Sequence, residues 1–308
     1  MTALATHTLI ELRGSLRNRQ LLFLTYAFPL GFYALMGLVM TGINPAFKAS
    51  MIPAMVIFAI MITTLMGLPD PIVNARDAGI FRSYKIFGVP AANVLFAPAL
   101  TVNLHIVVVA SIITLTAGPL FGAQVPTNAL GFVLVTAVAM FTFSGLGVLI
   151  GVVSSSARVG LLWSQLIFLP SMLVSGLMIP YEMLPASAQR LALLFPTTYA
   201  MNGYTGLAYG VQPPFNTEMS LVILLAGGLL SIVLAVLMFN WDRSNRTARL
   251  HPAFGLLAMA PYVVGMLLVY DIKVACGPRY SSLTILLAGH AMWRLESGWQ
   301  ASRCQSAC

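Results

Sequence analysis

Seventy-two consecutive residues, from Ile86 to Ala157, carry no Asp, Glu, Lys or Arg. A water-soluble fold cannot hide so long a run, whereas a bilayer takes about 20 apolar residues per helical crossing. Gly118-Pro119 and the polar stretch Gln124 to Asn128 interrupt the run near its middle, as a short turn between two spans does. The pattern places crossings near Asn93 to Ala117 and Asn128 to Val153. Over the whole chain 59% of residues are hydrophobic and 8% charged, where soluble domains hold roughly 45–50% and 25%. The fold class this dictates is an all-α polytopic membrane protein. A net charge of +8 raises the question of nucleic acid, but the basic residues stand in small groups beside apolar runs instead of forming one stripe. They read as topology signals, and the lipid bilayer, not nucleic acid, is the expected partner.

Arg19 and Lys48 bracket 28 uncharged residues, and Lys48 and Asp70 bracket another 21. Two helices fit there, near Leu21 to Thr41 and Ala49 to Pro69. Val159 to Ile179 makes a fifth span after the polar return Ser154 to Arg158, and Met219 to Phe239 makes a sixth. With the N-terminus inside, inner segments hold Arg13, Arg17, Arg19, Arg76, Arg82, Lys85, Arg158, Arg243, Arg246 and Arg249, against Lys48 and Arg190 outside. The positive-inside rule then sets a cytoplasmic N-terminus on a multi-pass protein of a bacterial-type cytoplasmic membrane. Charges precede the first apolar run and no small-residue pattern closes it, so no cleaved signal is expected.

Between the second and third spans lies a charged island, Asp70 to Pro90, holding Asp70, Arg76, Asp77, Arg82 and Lys85. Burying Arg76, Asp77, Arg82 and Lys85 in hydrocarbon would cost on the order of 10 kcal/mol, so the island stays outside it. Ala78-Gly79, Phe87-Gly88 and Pro90 predict one or two turns of helix there, not a loose linker. An ordered, charged inner loop is a place for another protein to dock.

Leu9, Leu12 and Leu16 recur at helical spacing before the first span, opposite Glu11, Arg13, Arg17 and Arg19; this predicts an amphipathic helix in the inner headgroup layer. On the outer side, Pro180, Pro185 and Pro196 cut the stretch between spans five and six into short helices. That stretch is only mildly polar and is expected to dip into the outer leaflet against the spans. Residues 1–245 form the membrane domain and 246–308 a hydrophobic C-terminal extension. Pro252 to Tyr270 is long enough to cross, but Lys273, Arg279, Arg294 and Arg303 follow it. Two readings stand for this segment, a seventh span or a re-entrant or interfacial piece. Cys276, Cys304 and Cys308, clustered at the end and odd in number, provide no disulfide framework or metal set.

An N-terminal amphipathic helix, six spans, a charged inner loop and a Pro-broken outer hairpin resemble the membrane (permease) subunit of type 2 ATP-binding cassette (ABC) exporters over about residues 5 to 240. The most specific residues are Ser175-Gly176, Pro180, Met183-Leu184-Pro185, Leu191 and Phe195-Pro196-Thr197-Thr198-Tyr199-Ala200. Arg76-Asp77-Ala78-Gly79 is similar to the family's Arg-Glu-x-Gly, with Asp for Glu. Asn74 stands where the family often has an acid, and Tyr204-Thr205-Gly206 where it tends to carry a basic residue.

The resemblance implies a separate ATP-binding cassette ATPase subunit that supplies ATP-Mg and docks on the inner loop. Arg76, Asp77, Gly79, Arg82 and Lys85 would then form the coupling site, braced by the N-terminal helix. It also implies a second permease copy or paralogue, and an outer hairpin carrying Pro180, Glu182, Pro185, Pro196 and Tyr199. The chain itself has no G-x-x-x-x-G-K-[ST] loop. No catalytic, cofactor or metal site is expected in it. Asn103, His105 and Gln165 are candidate path-lining residues, although polar groups in spans also hydrogen-bond between helices for about 0.6–2 kcal/mol each. Asn103 and His105, two apart, point to different faces. Uncharged spans rich in Met and Phe favour an apolar or amphipathic cargo, drug-like or lipid. The alternative is a secondary transporter or channel, which would need intramembrane ionisable residues or broken-helix repeats. An intramembrane hydrolase is the other rival, but no G-x-S-x-G occurs and nothing in the sequence orients His105.

Overall fold

Local sequence sets each boundary of the helical bundle. The computed structural model describes residues 3–239, 241 and 251–275. Helix α1 (Ala3–Ser15) precedes α2 (Arg19–Ile43) and α3 (Phe47–Asp77), and the short α4 (Ile80–Ile86) leads into α5 (Ala91–Phe121). Next come α6 (Ala129–Val153), α7 (Ala157–Val174), two short helices α8 (Ala186–Ala192) and α9 (Pro196–Gly203), α10 (Thr217–Met238) and α11 (Ala260–Ala275). No strand occurs among the described residues. Helices α2, α3, α5, α6, α7 and α10 are long and apolar enough to cross a membrane, matching the six expected spans. Side chains of Asn128, Ser156 and Asn216 cap the starts of α6, α7 and α10, accepting from the backbone three residues on. Helix α7 stops short of the expected Ile179 because Gly176 turns left-handed at φ +85° and Pro180 follows.

The membrane solvates apolar surface, so packing is decided by shape and by interhelical hydrogen bonds. Helix α3 is the central post, with 94% of its most apolar stretch buried by its neighbours. Its regular winding gives way to a π turn at Ile62–Met66, which frees carbonyl groups. Ser164 of α7 donates its hydroxyl to one of them, Leu65 O, at 2.5 Å. Helix α6 presents glycines on two sides. Gly147 and Gly151 lie on α3 against Thr64 and Ile72, and Gly145 lies on α10 against Gly228. The Thr142 hydroxyl adds a 2.9 Å bond to Leu224 O of α10. The spacing Gly147-x-x-x-Gly151 is a sequence signal for this contact that the reading by charge and hydropathy passed over.

Helix α1 packs along α5, with Ser15 Oγ 2.8 Å from His105 Nε2; Thr8 and Ser15 are buried, Leu12 is half-buried, and Leu9 and Leu16 are exposed. Small polar residues thus take the most buried positions, and Leu9 and Leu16 of the expected leucine stripe are left for lipid or a partner.

The C-terminal segment packs on the bundle. Within a 3-10 turn (Pro252–Met259), Gly255 lies beside Val153, at the end of the bundle that carries the basic residues. Helix α11 then places the fully buried Tyr262 on Gly227 of α10 and Gly265 against Tyr199, at the end of the bundle that carries the hairpin. The segment thus lies against α6, α9 and α10, and its apolar helix is shorter than the six candidate spans. Cys276, Cys304 and Cys308 lie outside the described residues.

Candidate coupling site

The charged island folds as two helical pieces. After a bend at Leu68, Pro69 restarts α3, and its last turns carry Ile72 and Val73 buried and Asn74 and Asp77 exposed. Gly79 breaks the helix at φ +73° with open space around its α-carbon, and α4 begins. A left-handed backbone costs a residue with a Cβ roughly 1–2 kcal/mol. Gly79→Val is therefore expected to misplace α4 without disturbing the spans, read as lost coupling at unchanged Tm; equal coupling would contradict it.

Three contacts tie this unit to the bundle. The Arg76 guanidinium reaches the end of α6, where Nη1 donates to Val152 O at 3.2 Å and Nη2 to Ser154 O at 2.6 Å. Those are terminal carbonyls with no helical partner, and a cation is favoured there. Asp77 Oδ1 lies 3.7 Å from Arg76 Nε. Phe81, the buried residue of α4, packs on Phe239 past the end of α10, with ring centroids 5.3 Å apart. Tyr84 meets the His7 ring of α1 edge-on at 5.3 Å, and His7 Nε2 lies 4.0 Å from Glu11 Oε1. Burial, followed by the nearby Glu11 charge, raises the Tyr84 hydroxyl pKa above its usual value.

Beyond Phe81 and the half-buried Tyr84, the rest of α4 is open. Arg82 and Lys85 are exposed, and beside them Ile86 is 77% and Phe87 81% exposed. The structure thus divides the expected coupling residues. Arg76 turns inward as a tether, Gly79 is the hinge, and Asp77, Arg82 and Lys85 lie on the surface. Ile86 and Phe87 belong with them, although an apolar pair between charged residues and a span looks in sequence like the start of that span.

The hairpin follows its prolines: Pro180 and Pro185 precede the 3-10 turn Tyr181–Met183 and α8, and Pro196 is the first residue of α9. Every residue of α9 is buried. Tyr199 is fully buried, donating its hydroxyl to Leu193 O at 2.8 Å. Glu182 is exposed. Tyr181 beside it has its hydroxyl pKa pushed up to about 12 by burial and then by the Glu182 charge.

The candidate path residues are not brought together. Asn103 accepts a 2.8 Å bond from the Ser144 hydroxyl of α6 and lines a groove of about 300 Å³ between α5, α6 and α10. His105 points elsewhere, as the spacing implies. Its Nδ1 lies 2.8 Å from Tyr26 OH of α2 and its Nε2 2.8 Å from Ser15 Oγ of α1. His105 is therefore oriented after all, by residues 79 and 90 positions away, and joins three helices. Gln165 sits half-buried on α7, apart from both.

No group of three or more His, Cys, Asp or Glu that could hold a metal occurs among the described residues. No curated protein and no solved structure matches the chain. A family model for the ABC-2 type transporter matches residues 3–209, which contain α1 to α9, the charged unit and the hairpin. With most of its 308 residues inside that match, the chain belongs to the ABC-2 type transporter family, the membrane permease component of type 2 ABC transporters.

Proposed function

We propose that this chain is the permease subunit of an ATP-driven exporter that moves an apolar or amphipathic compound, drug-like or lipid, outward across the cytoplasmic membrane. A separate ATP-binding cassette ATPase, carrying ATP-Mg, docks at the basic, cytoplasmic end. The observation that carries this reading is the build of the charged unit. It exposes Arg82, Lys85, Ile86 and Phe87, while Arg76 at the end of α3 and Phe81 of α4 fasten it to the ends of α6 and α10. A partner that binds one position of α4 better than another shifts the spans by that differential affinity.

The path lies between two permease copies, or this chain and a paralogue. Support comes from the exposed apolar faces of α2, with Leu35 and Leu38, and of α7, with Leu162, Leu166 and Leu173. The hairpin, with α9 sunk among the spans, is read as re-entrant and closes the path outside.

The test uses the chain in proteoliposomes with and without an ATP-binding cassette ATPase subunit. ATP-dependent movement of an amphipathic dye only when both are present supports the proposal. Gradient-driven movement by the chain alone would overturn it in favour of a secondary transporter. Phe87→Asp is expected to weaken ATPase docking at least about tenfold by placing a charge in an apolar contact, with Tm unchanged. Unaltered docking would exclude this face.

A further inference from the structure

At the hairpin end, one cavity of about 260 Å³ lies within a single copy of the chain, between the start of α3, the end of α7, the hairpin and the segment after α9. Its walls include three aromatic rings, Tyr181, Tyr209 and Phe215, and Tyr181 and Phe215 stand edge to face with centroids 5.9 Å apart. Glu182 is the only ionisable carboxylate on the lining, and no Lys, Arg or His contributes to it.

We infer that this cavity binds an organic ammonium head group. Aromatic faces attract a cation, best when it is shielded from water. The Glu182 carboxylate supplies the opposite charge. An anion would meet a carboxylate and aromatic rings, with no cation to hold it. The volume falls just under the roughly 300–1,000 Å³ of pockets for drug-sized ligands, so the head enters and an apolar tail stays outside. Binding needs no ATPase and stands apart from the transport proposal.

The experiment is calorimetric titration of the full chain in lipid nanodiscs, without any ATPase, after subtraction of empty nanodiscs. The probes are hexylammonium, hexyltrimethylammonium and hexanol. Hexylammonium is expected to bind, with hexanol showing no saturable signal. Hexyltrimethylammonium, which keeps the charge, is expected to bind as well. Glu182→Gln, at an exposed position that folding tolerates, is expected to weaken hexylammonium at least about tenfold, as loss of a charge-assisted contact does. Phe215→Leu provides a second, uncharged test of the aromatic wall and is expected to weaken both cations. Saturable hexanol binding equal to that of hexylammonium, or unchanged affinity in Glu182→Gln, would overturn the assignment and leave a hydrated cavity only.

Discussion

Arg76→Ala is expected to uncouple ATP hydrolysis from transport and to lower stability by about 2–4 kcal/mol, because it deletes two charge-assisted bonds to the terminal carbonyls of α6. The stability loss alone would suit any buried arginine. What singles out a tether is the combination of results: the ATPase should still bind, since Arg82, Lys85, Ile86 and Phe87 remain outside, yet transport per ATP should collapse. Arg76→Lys sharpens the test, because an ammonium can reach one carbonyl but cannot span two as the guanidinium fork does. Intermediate coupling is expected for Lys. Binding affinity for the ATPase, hydrolysis rate and dye movement, measured on the same reconstituted preparations, separate these quantities. Loss of ATPase binding in Arg76→Ala with Phe87→Asp silent would reverse the roles given to Arg76 and Phe87.

Gly147→Val is expected to have the larger effect on folding. A Cβ at Gly147 would lie 2.5 Å from the Thr64 carbonyl oxygen and 3.1 Å from its carbon. Both are backbone atoms of the π turn in α3, the most enclosed helix of the bundle. No rotamer change relieves that clash; α3 and α6 must separate, which also strains the nearby bond from Ser164 to Leu65 O. Overpacking costs typically 1–3 kcal/mol and more where backbone must move. The expected outcome is a steep fall in the folded, detergent-extracted fraction and in Tm. Gly42→Val is the control, on α2 with nothing within 4 Å of its would-be Cβ. Comparable loss at both positions would show that the cost is helix propensity or insertion, not the contact with α3.

The spans were legible because each residue's transfer into hydrocarbon is a local and nearly additive quantity. Long uncharged runs between Arg19, Lys48, the charged island and Arg158 mark them with no knowledge of packing. Prolines were legible for the same kind of reason, since Pro180, Pro185 and Pro196 act on their own backbone. Arg76 was legible as a charge outside the membrane but not as a tether. Its partners are carbonyl groups at positions 152 and 154, and a backbone acceptor leaves no mark on residue type. His105 offers the same lesson, since Ser15 and Tyr26 lie in separate helices and only the bundle brings them together. For residues 251–275 hydropathy names no packing partner; the bundle supplies it, through Tyr262 on Gly227 and Gly265 on Tyr199.

By itself, then, the sequence determined the solvent of this protein, its six apolar crossings, the charged unit between the second and third, and the lack of a phosphate loop within the chain. Each follows from the chemistry of neighbouring residues in one stretch. Only the tertiary structure decided which side of that unit faces inward, which polar residues are knots between helices, and which residues line an aromatic, acid-edged cavity. Those depend on pairs of atoms far apart in the chain, and helices already at home in lipid are sorted by close fit and hydrogen bonds, not by hydropathy.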